Sequence, residues 1–261
     1  MKALRYIFAP AVATIAAHEL RALFVSPVAW IMLALVQIVV GIVFVTQLQV
    51  FLDPPKAAAL SQSWGMTRVV AAPLFNWAAF LLTVVVPVLS MRSLSEERRS
   101  RTMMLYLGAP ITSLTIVLGK FCGLVLFLWV QVALVALLPL LLLLGGDLDL
   151  GLLGAQVLGL SLLCLGFAAL GICMSSLTKH PPIAALATLA VLMLSWILSW
   201  RGPEGATSEL AQWIHYLSWQ AHLEPMLRGW VDSADVAFFA IVAMACLCIA
   251  VLQVTHLRDG D

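Results

Sequence analysis

Apolar residues run almost unbroken through six stretches of this chain, at 28–50, 71–90, 114–144, 152–177, 183–200 and 236–255. An α-helix needs about 20 such residues to cross a hydrocarbon core about 30 Å thick, so each stretch is a candidate span. The third is long enough to demand a strong tilt or a break near Pro139. Ahead of the first span, the polar residues Thr14, His18 and Arg21 alternate at helical spacing with Val12, Ala16, Leu20 and Leu23. Lys2 and Arg5 before the apolar stretch 6–17 imitate a secretory signal, but Pro10 and Thr14 interrupt that stretch and it is too short to span. The pattern predicts an amphipathic helix over 9–24 lying in the membrane interface.

Two polar inserts break the apolar pattern. Residues 94–107 carry a charged head, Ser95-Glu96-Glu97-Arg98-Arg99-Ser100, then an apolar tail that ends at Gly108-Ala109-Pro110. Residues 201–235 place Trp213, Tyr216 and Trp219 at helical spacing, add Trp230, and interleave His215, His222, Glu224, Arg228 and Asp232. Aromatic-rich amphipathic segments sit at the headgroup layer, where one end of each ring is apolar and the other is wet. Short outer helices bent at Pro203 and Pro225 are expected there, with His222, Glu224, Arg228 and Asp232 on the wet side. The fold class that follows is all-α and integral to the membrane, one unit over 1–261. It has an N-terminal interfacial helix, six transmembrane helices and short outer helices between spans five and six.

Composition narrows the function. With 63% hydrophobic and 10% charged residues, the chain is far from the soluble balance of about 45–50% apolar and about 25% charged. A net charge of +1, spread between spans, lacks the concentrated basic face that nucleic acid requires. The five cysteines, Cys122, Cys164, Cys173, Cys246 and Cys248, all fall in apolar runs and read as packing residues.

Charge placement orients the chain. Five of the fourteen Lys and Arg residues (Arg92, Arg98, Arg99, Arg101 and Lys120) cluster between 91 and 120. Assigning loops by side puts these five with Lys2, Arg5, Arg21, Lys179 and Arg258 on one face, and Lys56, Arg68, Arg201 and Arg228 on the other. Ten against four places both termini and the 94–107 helix in the cytoplasm. No Asp or Glu stands deep in a span, so a carboxylate proton relay has no residues to run on.

Four candidate chemistries follow. Adjacent carboxylates beside paired guanidiniums at Glu96, Glu97, Arg98 and Arg99 suit docking against another protein, or else a solvated connector. Gly119-Lys120 is not a phosphate loop, because Leu114 replaces its first glycine and Phe121 its hydroxyl. Gly119 and Gly123 instead form a small-residue face for close helix packing. His215, His222 and Glu224 are a weaker candidate metal set, since His222 and Glu224 lie on different faces of a helix.

The ordered motifs resemble the permease subunits of type-2 (ABC-2) ATP-binding-cassette exporters. They are His18-Glu19-Leu20-Arg21-Ala22-Leu23-Phe24-Val25-Ser26-Pro27 before the spans, then Met91 to Ser100 followed by Gly108-Ala109-Pro110-Ile111-Thr112 and Val117-Leu118-Gly119-Lys120-Phe121. The ending His222-Leu223-Glu224-Pro225 through Asp232, then Asp235-Val236-Ala237-Phe238-Phe239, is similar to the branch that includes gliding-motility and nitrous-oxide-reductase-maturation permeases. Arg101-Thr102 and Met104-Leu105 stand where that family has Gly-Thr and Glu-Leu-Leu.

The resemblance implies that 94–107 is a coupling helix, with Glu96, Glu97, Arg98 and Arg99 its ATPase-coupling residues. It implies two separate ABC ATPase subunits that bind ATP and Mg, while this chain holds no cofactor and is no enzyme. It also implies a second copy of the chain, a bacterial inner-membrane location and an amphiphilic, lipid-linked or polymeric cargo. A periplasmic auxiliary protein would meet the outer segment, with Trp213, Trp219, His222, Glu224, Arg228 and Asp232 as contacts. Two alternatives remain: a platform that docks periplasmic machinery without moving cargo, and a stand-alone carrier or channel selecting through Gln37, Asn76, Gln131 and Gln156.

Overall fold

The computed structural model describes residues 2–52, 66–99, 112–144, 148–199, 213 and 215–259. Among them are nine helices and no strand: α1 (Lys2–Val25), α2 (Pro27–Leu52), α3 (Met66–Ser90), α4 (Ser95–Arg99), α5 (Ser113–Leu140), α6 (Leu150–Leu177), α7 (Pro181–Ser199), α8 (Trp219–Leu227) and α9 (Ser233–Asp259). A 3₁₀ turn, Leu141–Leu144, follows α5 two residues beyond Pro139, whose missing N–H loosens the helical ladder. The part of the expected 94–107 helix beyond Arg99, the Gly145-Gly146-Asp147 turn and residues 200–212 lie outside the described residues.

Six helices, α2, α3, α5, α6, α7 and α9, are long and apolar enough to cross a membrane. Helix α6 is the most buried of them and α7 and α9 the least, and α3, α5, α7, α8 and α9 all pack on α6. Helix α2 leans on α3 through Ala29, Leu33, Val36 and Val40, a buried stripe at helical spacing. Its other face, including Ile31, Ile38 and Val45, is exposed.

Inside a bilayer, apolar contact does not by itself draw helices together, so close backbone approach at small residues matters more. A Cβ added at Gly119 would stand 2.6 Å from Ile15 Cβ, and one at Gly123 would stand 2.7 Å from Glu19 Cβ. Gly119 and Gly123 therefore seat α1, which runs alongside α5 in the same direction as far as an edge-on contact of Phe24 with Phe127. The face of α1 that meets α5 includes Ile15, Ala16 and Glu19. That face carries a carboxylate, which the alternation of polar and apolar residues in α1 does not indicate.

Chain direction puts α4 and the starts of α5 and α7 at one end of the bundle, with the end of α6. The opposite end holds α8 and the start of α9. There Ser218 caps α8 by accepting from the Gln220 amide at 3.3 Å. Gly229, at φ 92, closes α8 with the amide of Gly229 on the Met226 carbonyl and that of Trp230 on the Pro225 carbonyl. This double bond to the last turn needs a left-handed residue, which glycine adopts without steric cost.

Candidate functional site: a buried charge triad under a short helix

Helix α4 is only five residues long and is held mainly by what lies beneath it. The amides of Leu94 and Ser95 both donate to the Ser175 hydroxyl of α6, at 3.1 and 3.0 Å, and that hydroxyl donates to the Met91 carbonyl at 3.1 Å. One side chain thus satisfies three backbone groups of the turn entering α4. The Arg98 guanidinium donates to the Ser176 carbonyl, one of the last carbonyls of α6 that no helical amide reaches. Just below, Gly171 leaves room for Ser90, whose side chain would collide with any Cβ placed there.

Lys120 is the centre of the site. It is 2% exposed, and its Nζ donates to Glu97 of α4 at 2.8 Å and to Glu19 of α1 at 3.3 Å. Three elements, α1, α4 and α5, therefore meet in one ammonium and two carboxylates. Burial pushes the Glu97 carboxyl above its ordinary range, against the opposing pull of Lys120, and burial also lowers the Arg98 guanidinium. A cleft of about 340 Å³ opens beside the triad, lined by Glu19, Ser26, Leu89, Arg92, Glu97 and Lys120 among others.

The four charged residues singled out in α4 divide between two faces. Glu97 and Arg98 turn inward to Lys120 and α6, while Glu96 and Arg99 are exposed. Arg92 lies 3.9 Å from Glu96 on the same outer face. With Met91, Arg99, Pro181 and Pro182, these residues rim a second notch of about 450 Å³ between α4 and the start of α7. Glu19, Lys120 and Ser175 were not legible as site residues, because the positions 19, 97, 120 and 175 meet only in three dimensions. The available signal was Lys120 itself, a cation seven residues into an apolar run.

At the opposite end, α8 is fastened by side-chain hydrogen bonds around a buried histidine. His222, expected on the wet side, is buried, with Nδ1 2.7 Å from Asp235 and Nε2 2.9 Å from the Tyr216 carbonyl. Each ring nitrogen thus faces an oxygen, which fixes the orientation of the ring. The ring also stacks on Phe238 at 3.9 Å. Trp219 is likewise buried, its indole N–H donating to the Leu192 carbonyl at 3.3 Å and its ring edge-on to Phe167. Trp213, Tyr216 and Trp230 are exposed. Glu224 and Arg228 pair with each other on the surface, and Asp232 accepts from the Ala234 amide at the start of α9.

Two of the amides considered for selectivity also hold α8. Gln156 donates to the Leu227 carbonyl at 3.0 Å, and Gln220 donates to Asn76 at 2.9 Å. Gln131 is buried with neither amide atom bonded among the described residues. No three His, Cys, Asp or Glu side chains converge as metal ligands among the described residues, and both ring nitrogens of His222 are already engaged.

The sequence matches the family described as ABC-2 family transporter protein over residues 13–257, nearly its whole length. The chain belongs to the ABC-2 family. It is therefore a multi-pass membrane permease subunit of an ABC transporter, and the family implies a separate partner that binds ATP. No curated protein matches the chain. The triad, together with the Ser175 and Arg98 contacts to α6, connects α4 to the rest of the bundle.

Proposed function

We propose that the chain is the membrane half of an exporter, in which α4 receives the stroke of two ATPase subunits and passes it inward through Lys120. The observation that carries this reading is the burial of Lys120 between a carboxylate of α4 and one of α1. A displacement of α4 moves Glu97, and Lys120 must follow or lose a partner inside a poorly solvated site. Movement of Lys120 pulls on α5, and through Glu19 on α1. Ser175 and Arg98 couple the same displacement to the end of α6.

The exposed face of α4 then serves as the dock. Arg92, Glu96 and Arg99 present both signs of charge around a notch, which suits charge-assisted contacts to the ATPase. In this reading the α4 end and both termini are cytoplasmic and the membrane is the bacterial inner membrane. Two copies of the chain flank the cargo path, and ATP and Mg stay on the partner. Exposed apolar faces with few polar groups suit an amphiphilic, lipid-linked or polymeric cargo. A periplasmic protein would find the α8 end.

Docking and transmission separate experimentally. Glu96→Arg with Arg99→Glu should release the ATPase during co-purification, whereas Lys120→Met should retain it and lower ATP turnover toward that of the isolated ATPase. Full turnover and export with Lys120→Met would return the triad to a merely structural role.

A further inference from the structure

The notch between α4 and the start of α7 carries an unbalanced charge. Arg92, Glu96 and Arg99 stand on its α4 side, and Pro181 and Pro182 on its α7 side. Glu96 approaches Arg92 at 3.9 Å, with both side chains more than half exposed. Arg99 has no carboxylate partner among the described residues. Lys179 and His180, both exposed, immediately precede Pro181. The backbone adds to the same sign, because the first turn of a helix carries partial positive charge and α7 begins here. Its first two residues are prolines, which have no N–H, and the Ile183 and Ala184 amides are spent on the His180 carbonyl at 3.0 and 3.2 Å. No amide of that turn is left to bind an anion, so the donors on offer are the arginines. The negative end of α6, by contrast, is already met by Arg98 on the Ser176 carbonyl.

We infer that the notch takes a carboxylate side chain of the ATPase, clasped between Arg92 and Arg99 against the proline wall. This rests on the docking reading above and adds the chemistry of the partner's contact. Position decides what can cover the notch. Helix α6 is the most buried span, with α3, α5, α7 and α9 packed on it, and α4 sits on the end of α6 through Ser175 and Ser176. The outer face of α4 therefore looks along the bundle axis, past the ends of the spans. Lipid and a second copy in the same bilayer lie beside the bundle, not over its end. A soluble partner is left, and the one the family implies is the subunit that binds ATP. Glu96, four residues after Arg92 and three before Arg99, offsets one of their two charges and leaves the other for the partner. A guanidinium fork meets a carboxylate through two parallel N–H···O bonds, which gives such a contact direction as well as strength.

The test uses the full chain purified with its co-expressed ATPase. Arg99→Lys and, in a second variant, Pro182→Lys each put a primary amine on one wall of the notch, with Lys179→Arg in both to remove the amine already at that turn. A water-soluble carbodiimide then joins amine to carboxylate as an amide, with loss of water and no spacer, and the linked peptides are mapped by mass spectrometry. Both amines should link to Asp or Glu side chains in the same short stretch of the ATPase. Arg99→Glu should lower the ATPase retained on the chain several-fold, and replacing the linked acid of the ATPase by arginine should restore it. A complex that stays intact while neither amine links to the ATPase overturns the carboxylate contact and leaves the docking reading standing. Full retention of the ATPase by Glu96→Arg with Arg99→Glu overturns both.

Discussion

The two ends of the bundle each hold a short helix over a buried polar contact, yet they are built on different terms. At the α8 end, His222 is hydrogen-bonded to Asp235, and α8 is held besides by the Trp219 indole, the Gln156 and Gln220 amides and the Gly229 turn. At the α4 end, one ammonium serves two carboxylates from different helices, and among the described residues the Ser175 hydroxyl and the Arg98 contact with the end of α6 add to the attachment. A helix fastened by many independent contacts resists displacement. A helix that shares a buried cation with other helices hands its displacement to every partner of that cation. In the export reading proposed above, the α8 end holds and the α4 end transmits.

The largest expected effect is from Lys120→Met. It removes the ammonium from between Glu19 and Glu97, and breaking a buried ion pair costs about 3–5 kcal/mol. The thermal midpoint of the purified complex should fall by several degrees, and ATP turnover should fall with it. Lys120→Arg should recover part of the stability if the charge matters. If both variants behave like the parent, the contrast between the two ends collapses.

Next comes Asp235→Ala, which leaves the Nδ1 side of the buried His222 ring without its acceptor, a loss of about 1–3 kcal/mol for an unsatisfied group. Limited proteolysis should find the segment around α8 more readily cut. Basal ATP turnover should stay near the parent value, because α4 lies at the other end. A large fall in turnover would show that the two ends are not separable.

A smaller effect is expected from Ser175→Ala, which removes the shared acceptor of the Leu94 and Ser95 amides. The loss should be about 1–2 kcal/mol, read as faster hydrogen exchange at those two amides with the spans unchanged. Unaltered exchange there would mean that Ser175 does not fix α4.

The smallest change in stability should come from the double reversal Glu224→Arg with Arg228→Glu. Exposed pairs four residues apart contribute only about 0.3–0.5 kcal/mol, so the thermal midpoint should barely move. Export or binding of an outer partner should nevertheless suffer, with ATP turnover nearly intact. Unchanged export and binding would remove the surface role assigned to this pair.

Much of the architecture was readable without coordinates, for a physical reason. A bilayer demands long apolar helices, so the six spans are written locally in runs of residues such as 152–177. The close packing at Gly119 and Gly123 was equally local, since two small residues four apart make a flat helix face. The helical period also permits an inner and an outer face in Glu96-Glu97-Arg98-Arg99, but the sequence offers no means of choosing which residue takes which. That choice belongs to α6, whose Ser175 and Ser176 set the rotation of α4.

What the sequence by itself determined is the membrane class, the helical order and the family, because these depend on hydrophobic length and on ordered motifs. What only the tertiary structure decided is which polar residues leave water. Trp219 and His222 look like interfacial side chains in an aromatic amphipathic segment, and packing against Phe167 and Phe238 buries them. Glu19 and Lys120 look like separate topology-setting charges 101 residues apart, and the seating of α1 on α5 makes them one site. Local pattern fixes which segments a bilayer accepts. Burial of a charge is settled by the partners that other segments bring to it, and those are known only once the chain has folded.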